Sequence, residues 1–355
     1  MRRRPAWWVG VLLALAACGV ASPELPPRTE ARYDQCQDPG GQQALATAKA
    51  LLGRREPRQA LPYLRAVTGL CPDFVPGHML LQDTALELRG QEEREIRDLY
   101  RGWPEDNALR CFLKARVADD DLERRELLER AIAFDRSFGY AHLSYARGLC
   151  AVRKYDLAIR SYEAALAAQP ELHEARFELA AVLAEQGRER DAEKALQVYV
   201  TARPDDLDAK RRLARLRTYE LERPADARPL LIELVRADPD DQGARMDLAA
   251  AHWQMGEHTA ALAEYREVLR RDPNQARAVL NIANLHYEAL AQGGETERKA
   301  SLAKARAAYR YFLKIERPEG MFDMLDFYLS VPARLKYIDG VLGPYLGRDP
   351  DPSDF

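Results

Sequence analysis

The chain has 355 residues, 47% of them hydrophobic and 31% charged, with a formal net charge of −3 that becomes −6 without Arg2, Arg3 and Arg4. Charge this small and this mixed exerts no global pull on nucleic acid, and none is expected as a partner. Beyond the N-terminus no stretch approaches the roughly 20 apolar residues of a membrane span.

The first element is a secretory signal. Arg2, Arg3 and Arg4 precede an apolar run from Ala6 to Ala17, too short to span a bilayer as a helix. The run ends in Leu15-Ala16-Ala17-Cys18, which resembles the lipobox of bacterial lipoproteins. That resemblance implies cleavage after residue 17, acylation of Cys18 with palmitate-type chains, and stable attachment to a membrane. Gly19 in place of an aspartate resembles the outer-membrane class, so a lipid anchor in the outer membrane facing the periplasm is expected. Residues 18–38, with Pro23, Pro26 and Pro27, then read as the lipidated cysteine and a spacer lifting the rest off the bilayer.

Residues 39–318 repeat one spacing. Ala158, Tyr162, Ala165 and Pro170 recur as Ala192, Leu196, Tyr199 and Pro204, as Ala227, Leu231, Leu234 and Pro239, and as Ala261, Tyr265, Val268 and Pro273. An earlier copy stands at Ala60, Leu64, Val67 and Pro72; the internal steps are always 4, 3 and 5, and the copies from Ala158 advance by 34, 35 and 34. Steps of 4 and 3 place the small and large apolar residues on one helical stripe, and the proline ends the helix. A preceding helix carries its own anchors, Tyr145, Ala146 and Leu149 in one copy and Leu179, Ala180 and Leu183 in the next. Gly187 and Gly256 fall where the turn between helices needs a flexible backbone. Asp205, Asp206, Asp240 and Asp241 follow the prolines and can cap the next helix.

The pattern resembles the tetratricopeptide repeat, a helix–turn–helix that stacks into a solenoid. The resemblance implies an all-α superhelical solenoid of about eight helix–turn–helix units with C-terminal capping helices. Regular units are expected at about 41–74, 139–172, 173–206, 207–241 and 242–275, with two degenerate, slightly shortened units between Val75 and Phe138. One extra residue is expected near Glu222–Pro224, and an insertion of about ten residues around Gly293–Lys299, since Ala261 to Ala305 is 44 rather than 34. Residues 319–342 are expected to form two capping helices, Met321–Leu329 and Pro332–Leu342, and 343–355 a disordered acidic tail.

Cys36 and Cys71 flank the first hairpin at the same end, so a bridge between them is expected in a compartment that permits disulfides. Cys111 and Cys150 lie on first helices of neighbouring units and are either bridged or buried thiols.

Catalytic chemistry is hard to find. His173-Glu174-Ala175-Arg176-Phe177 begins like a zinc-protease helix, but Phe177 stands where the second histidine must be. His252 and His258 lack ligand spacing. Asp119, Asp120 and Asp121 lack the glycine and distal glutamate of a calcium loop and read as a helix cap. No enzyme activity, metal or cofactor is expected.

The repeat resemblance places ligands on the concave face. Carrying its groove positions over selects Arg147, Arg211, Arg212, Arg215, Tyr219, Trp253, Asn281, Asn284 and Tyr287. These side chains suit an extended peptide or protein segment carrying acidic groups. The lysine–asparagine carboxylate clamp of some family members is not reproduced. The expected function is a membrane-anchored protein-interaction scaffold of a bacterial envelope, in assembly of an envelope or secretion complex. The alternative is an accessory binding subunit of a polysaccharide-export or secretion machine.

Overall fold

The structure, a computed structural model, describes residues 33–289, 294–315, 325–344, 346–347 and 351–355. The signal, Cys18 and residues 18–32 of the spacer lie outside the described residues, as do parts of the insertion and of the first capping helix. Among the described residues there are seventeen α-helices and no strand. The chain divides between Val182 and Leu183 into two compact units.

The first unit holds α1 (Pro39–Gly53), α2 (Pro57–Leu70), α3 (Val75–Leu88), α4 (Gly90–Arg101), α5 (Ala108–Arg116), α6 (Asp121–Phe134), α7 (Gly139–Ala151), α8 (Tyr155–Ala168) and most of α9 (His173–Glu185). The repeat residues do what their size suggests. Ala60, Leu64 and Val67 are fully buried at 0% exposure, and so are Ala158 and Ala165. Asp38, Asn107 and Asp120 cap their helices by accepting from backbone N–H groups, Gly41 N at 2.8 Å in the first case.

The degenerate stretch is helical throughout. Residues 90–101, which fit the repeat poorly, form α4 and bury Ile96 and Tyr100. His78 joins the pieces: its Nε2 donates to the Pro72 carbonyl at 2.9 Å, which leaves Nδ1 to accept from Tyr100 Oη at 2.7 Å. Trp103 stands edge-on to the His78 ring at 5.6 Å. A local aromatic cluster thus replaces the alanine stripe where the period is broken.

Cys36 and Cys71 are joined in a disulfide with their Cα atoms 5.4 Å apart. Gly41 makes room for it, since a Cβ there would collide with both sulfurs. Residues 33–38, assigned to the spacer by sequence, pack on the repeats instead. The Tyr33 carbonyl accepts from Val75 N at 3.0 Å, and Asp34 accepts from Tyr140 Oη at 2.6 Å and Gln169 Nε2 at 3.0 Å. Cys111 and Cys150 remain thiols. Cys111 is buried inside α5, and Cys150 Sγ lies 3.8 Å from Tyr162 Oη, so the side chains are committed to different contacts.

The second unit continues from the end of α9 through α10 (Glu189–Ala202), α11 (Leu207–Arg215), α12 (Pro224–Ala237), α13 (Gln242–Gln254), α14 (His258–Arg271), α15 (Ala276–Asn284), α16 (Glu295–Lys314) and α17 (Leu325–Leu342). Ala192, Ala227, Ala261 and Ala305 are all fully buried. Asp206 and Asp241 cap α11 and α13, accepting from Ala209 N at 2.9 Å and Ala244 N at 3.0 Å. Gly187 and Gly256 adopt φ of 68° and 76° in the hairpin turns, the left-handed region that suits glycine.

The extra residue of the 35-residue copy is not taken up at Glu222–Pro224. It widens the end of the first helix into a π-helical turn over Leu216–Glu220, closed by Leu221 N donating to Leu216 O at 3.0 Å. The later insertion lengthens α16 to 20 residues, against 14 for α14. The predicted pair of capping helices is one helix, α17, which continues through Pro332 and buries Val331 and Ile338 in the core of the last hairpin. The predicted disorder of the tail also fails at its end. Phe355 is buried, its ring 5.8 Å from that of Tyr311, and its carbonyl accepts from Arg266 Nε at 3.3 Å. An aromatic anchor outweighs the acidic, proline-rich composition there.

Candidate peptide-binding site

A cavity of about 800 Å³ lies between the end of α11 with its π-helical turn, α13, Tyr265 of α14, and α15. Its apolar wall is Leu216, Met246, Ala250, Trp253 and Leu280, and its polar groups are Arg215, Tyr219, Glu220, Asp247, Gln254, Arg277 and Asn281. The volume and the mixture of rings with a few polar groups suit a ligand site.

Four of the nine groove residues selected from the sequence meet here: Arg215, Tyr219, Trp253 and Asn281. The π-helical turn brings Tyr219 and Glu220 to the wall beside α13. Tyr219 donates to Asp247 Oδ1 at 2.8 Å, and Asn281 donates to the Tyr265 hydroxyl oxygen at 3.2 Å. Arg215 is largely exposed, stands 5.9 Å over the Tyr219 ring, and reaches only 3.9 Å from Asp247 Oδ2. Burial raises the Asp247 carboxyl above its ordinary value, against the lowering effect of the Tyr219 hydrogen bond and of Arg215 and Arg211. Burial likewise raises the Tyr219 and Tyr265 hydroxyls, so both stay protonated.

The other five are placed differently. Arg211 pairs with Asp241, and Arg212 Nε donates to Asp208 at 3.0 Å, so neither leaves an uncompensated positive charge. Arg147 belongs to the first unit, where it grips Glu178 through two nitrogens, at 2.9 Å and 2.6 Å, and Glu174 at 3.0 Å. It is a brace between α7 and α9. Asn284 accepts from Tyr309 Oη at 2.7 Å and Arg334 Nη1 at 2.6 Å, and Tyr287 lies 5.3 Å under the same guanidinium. Helix α17, which carries Arg334, therefore covers these two. The groove arginines do not form one free cationic surface: Arg211 is paired with Asp241, Arg212 with Asp208 of its own helix, and Arg147 with Glu174 and Glu178.

Sequence reasoning missed Asp247, Glu220 and Tyr265. In the sequence Tyr265 occupies a packing position of the repeat, and Asp247 sits among residues of α13 that are core by spacing. A carboxylate inside an apolar run, Met246-Asp247-Leu248, was the available signal.

Residues 143–206, 216–276 and 251–318 match the tetratricopeptide-repeat family profile, so these stretches are tetratricopeptide repeats and the fold is of that all-α class. No curated protein matches the chain. Among solved structures it is similar to YrrB, described as a tetratricopeptide-repeat protein with an unusual peptide-binding site, at 20% identity over 56% of this chain and 95% of that one, TM-score 0.45. It is also similar to MamA at 20% identity over 53% and 96%, TM-score 0.44, and to pilF of Pseudomonas aeruginosa at 18% over 68% and 98%, TM-score 0.42. Likeness at this level does not reach ligands or partners. The fold is consistent with a scaffold for protein–protein interaction, and no catalytic family is indicated.

Proposed function

We propose that the protein is a lipid-anchored interaction scaffold of a bacterial cell envelope, held at Cys18 in the outer membrane and facing the periplasm. Its repeats capture an extended segment of a protein partner during assembly of an envelope or secretion complex. The observation that carries the binding half of this reading is the cavity between α11, α13 and α15, where aromatic rings and hydrogen-bonding groups converge on an open space of about 800 Å³. A repeat core does not need such a gap, since buried side chains pack to crystal-like density. The anchor half rests on the signal and the Leu15–Cys18 sequence.

A photo-crosslinking residue placed at Gln254, on the cavity wall, tests the binding half in the native envelope. Adducts should form there and disappear when Trp253→Ala is added, while the same residue at Arg190 on α10 should give none. Adducts from both positions, or from neither, would overturn the assignment of the cavity as the binding face.

A further inference from the structure

The charges on the cavity wall point to a ligand of sign opposite to the one the sequence suggests. The Asp247 side chain is 11% exposed and stands on the cavity wall. One oxygen, Oδ1, accepts from Tyr219. The other, Oδ2, has Arg215 Nε as its cation at 3.9 Å, beyond hydrogen-bond reach. Oδ2 is not sealed inside the protein: it opens onto the cavity with no hydrogen-bond donor beside it, and so is available to accept from a ligand. The wall gives little help. Arg211 is committed to Asp241, and Arg277 is already engaged. Arg215 is mostly in solvent. Glu220 adds a second carboxylate to the wall, with no ion pair among the described residues.

Around these acids stand the rings of Tyr219 and Trp253, with Met246 and Leu280 beside them. Rings with a carboxylate among them form an environment for a cation: ring faces attract positive charge, and the apolar side chains accept an aliphatic stem. An anion would meet the carboxylates of Asp247 and Glu220, and the two guanidiniums on the wall, Arg215 and Arg277, each have a partner already.

Resting on the peptide-binding reading above, we propose that the cavity takes the side chain of a lysine or arginine in an extended peptide, with Asp247 Oδ2 as its acceptor and Glu220 as a second acid at the rim. Arg215 is then a gate residue. It screens Asp247 in the empty site and swings away from it when the ligand cation arrives. The partner therefore presents a basic anchor flanked by apolar residues.

Binding of the full chain to an array of short random-sequence peptides tests this, followed by titration of the selected peptide with its basic anchor changed to citrulline or norleucine. Selection should favour Lys or Arg at one position, and loss of the charge should weaken binding about tenfold or more, as for other buried charge pairs. Asp247→Asn should weaken the basic peptide to the same degree without lowering the melting temperature. Arg215→Gln should tighten its binding, because a competitor for Asp247 is gone. Selection of Asp or Glu, with binding lost in Arg215→Gln, overturns the proposal. So does capture that requires Trp253 but ignores Asp247→Asn, although the cavity then remains the binding site. If no peptide is retained and Trp253→Ala changes nothing, both the cation site and the peptide-binding reading fall.

Discussion

His286 shows how a single side chain ties stability to pH. It is buried in the last hairpin, and neither ring nitrogen has a hydrogen-bond partner among the described residues. Burial lowers its pKa from 6.5 to about 4, with Lys304 and Arg266 pushing the same way. The unfolded chain takes up a proton near pH 6.5 while the folded chain refuses it until about pH 4. Stability is therefore full above pH 6.5 and falls as the pH drops towards 4, by on the order of 2–3 kcal/mol. Thermal melts across that window should show the fall, and His286→Leu should flatten it. An unchanged slope in the variant would mean that other groups carry the acid sensitivity. Arg147 illustrates the opposite case. Its hydrogen bonds to Glu178, with that charge and Glu174 adding to them against burial, hold it charged, so its role is fixed by partners that sequence position alone does not reveal.

At the level of elements, the π-helical turn at Leu216–Glu220 is the device that shapes the site. One residue more than the 34-residue period swings the following side chains by about 100°, and Tyr219 and Glu220 land on the cavity wall. Deleting Thr218, whose hydroxyl donates to Ala214 O at 2.9 Å, should restore a regular helix and carry both away. Circular dichroism should show helical content retained while peptide capture is lost; capture that survives would remove the turn from the binding mechanism. The first hairpin has a different device, the Cys36–Cys71 bridge across a sequence separation of 35. Closing that loop in the unfolded chain contributes about 2–4 kcal/mol. Cys71→Ser should lower the stability of the first hairpin by that amount and raise hydrogen exchange in α1 and α2, with α13 to α15 unaffected. Equal exchange in the two proteins would show that packing alone holds the hairpin.

For the whole molecule, location and binding are separable. The proposed anchor is Cys18, whereas the cavity is built from side chains between Arg215 and Asn281. If the Leu15–Cys18 sequence is processed as a lipobox, the mature chain starts at an acylated Cys18 and sediments with membranes, while Cys18→Ser gives an unprocessed or soluble form. Intact mass of the membrane-extracted protein decides this, and an unmodified Cys18 would overturn the anchor.

The sequence by itself determined the all-α repeat, the position of its alanines and prolines, and the caps at Asp206 and Asp241. Each of these follows from residues a few positions apart on one helix, where spacing dictates which side is buried. The repeat resemblance selects Trp253, Tyr219, Arg215 and Asn281, and these four line one cavity because equivalent positions of first helices share a face. What only the tertiary structure decided was charge and access. Whether Arg211, Arg212 or Arg147 is available depends on Asp241, Asp208, Glu174 and Glu178, and whether Asn284 and Tyr287 are open depends on Arg334 of α17. Most of these partners lie on other helices, in one case 50 residues away in sequence. No local period encodes them, because ion pairing and covering are set by where separate helices come to rest.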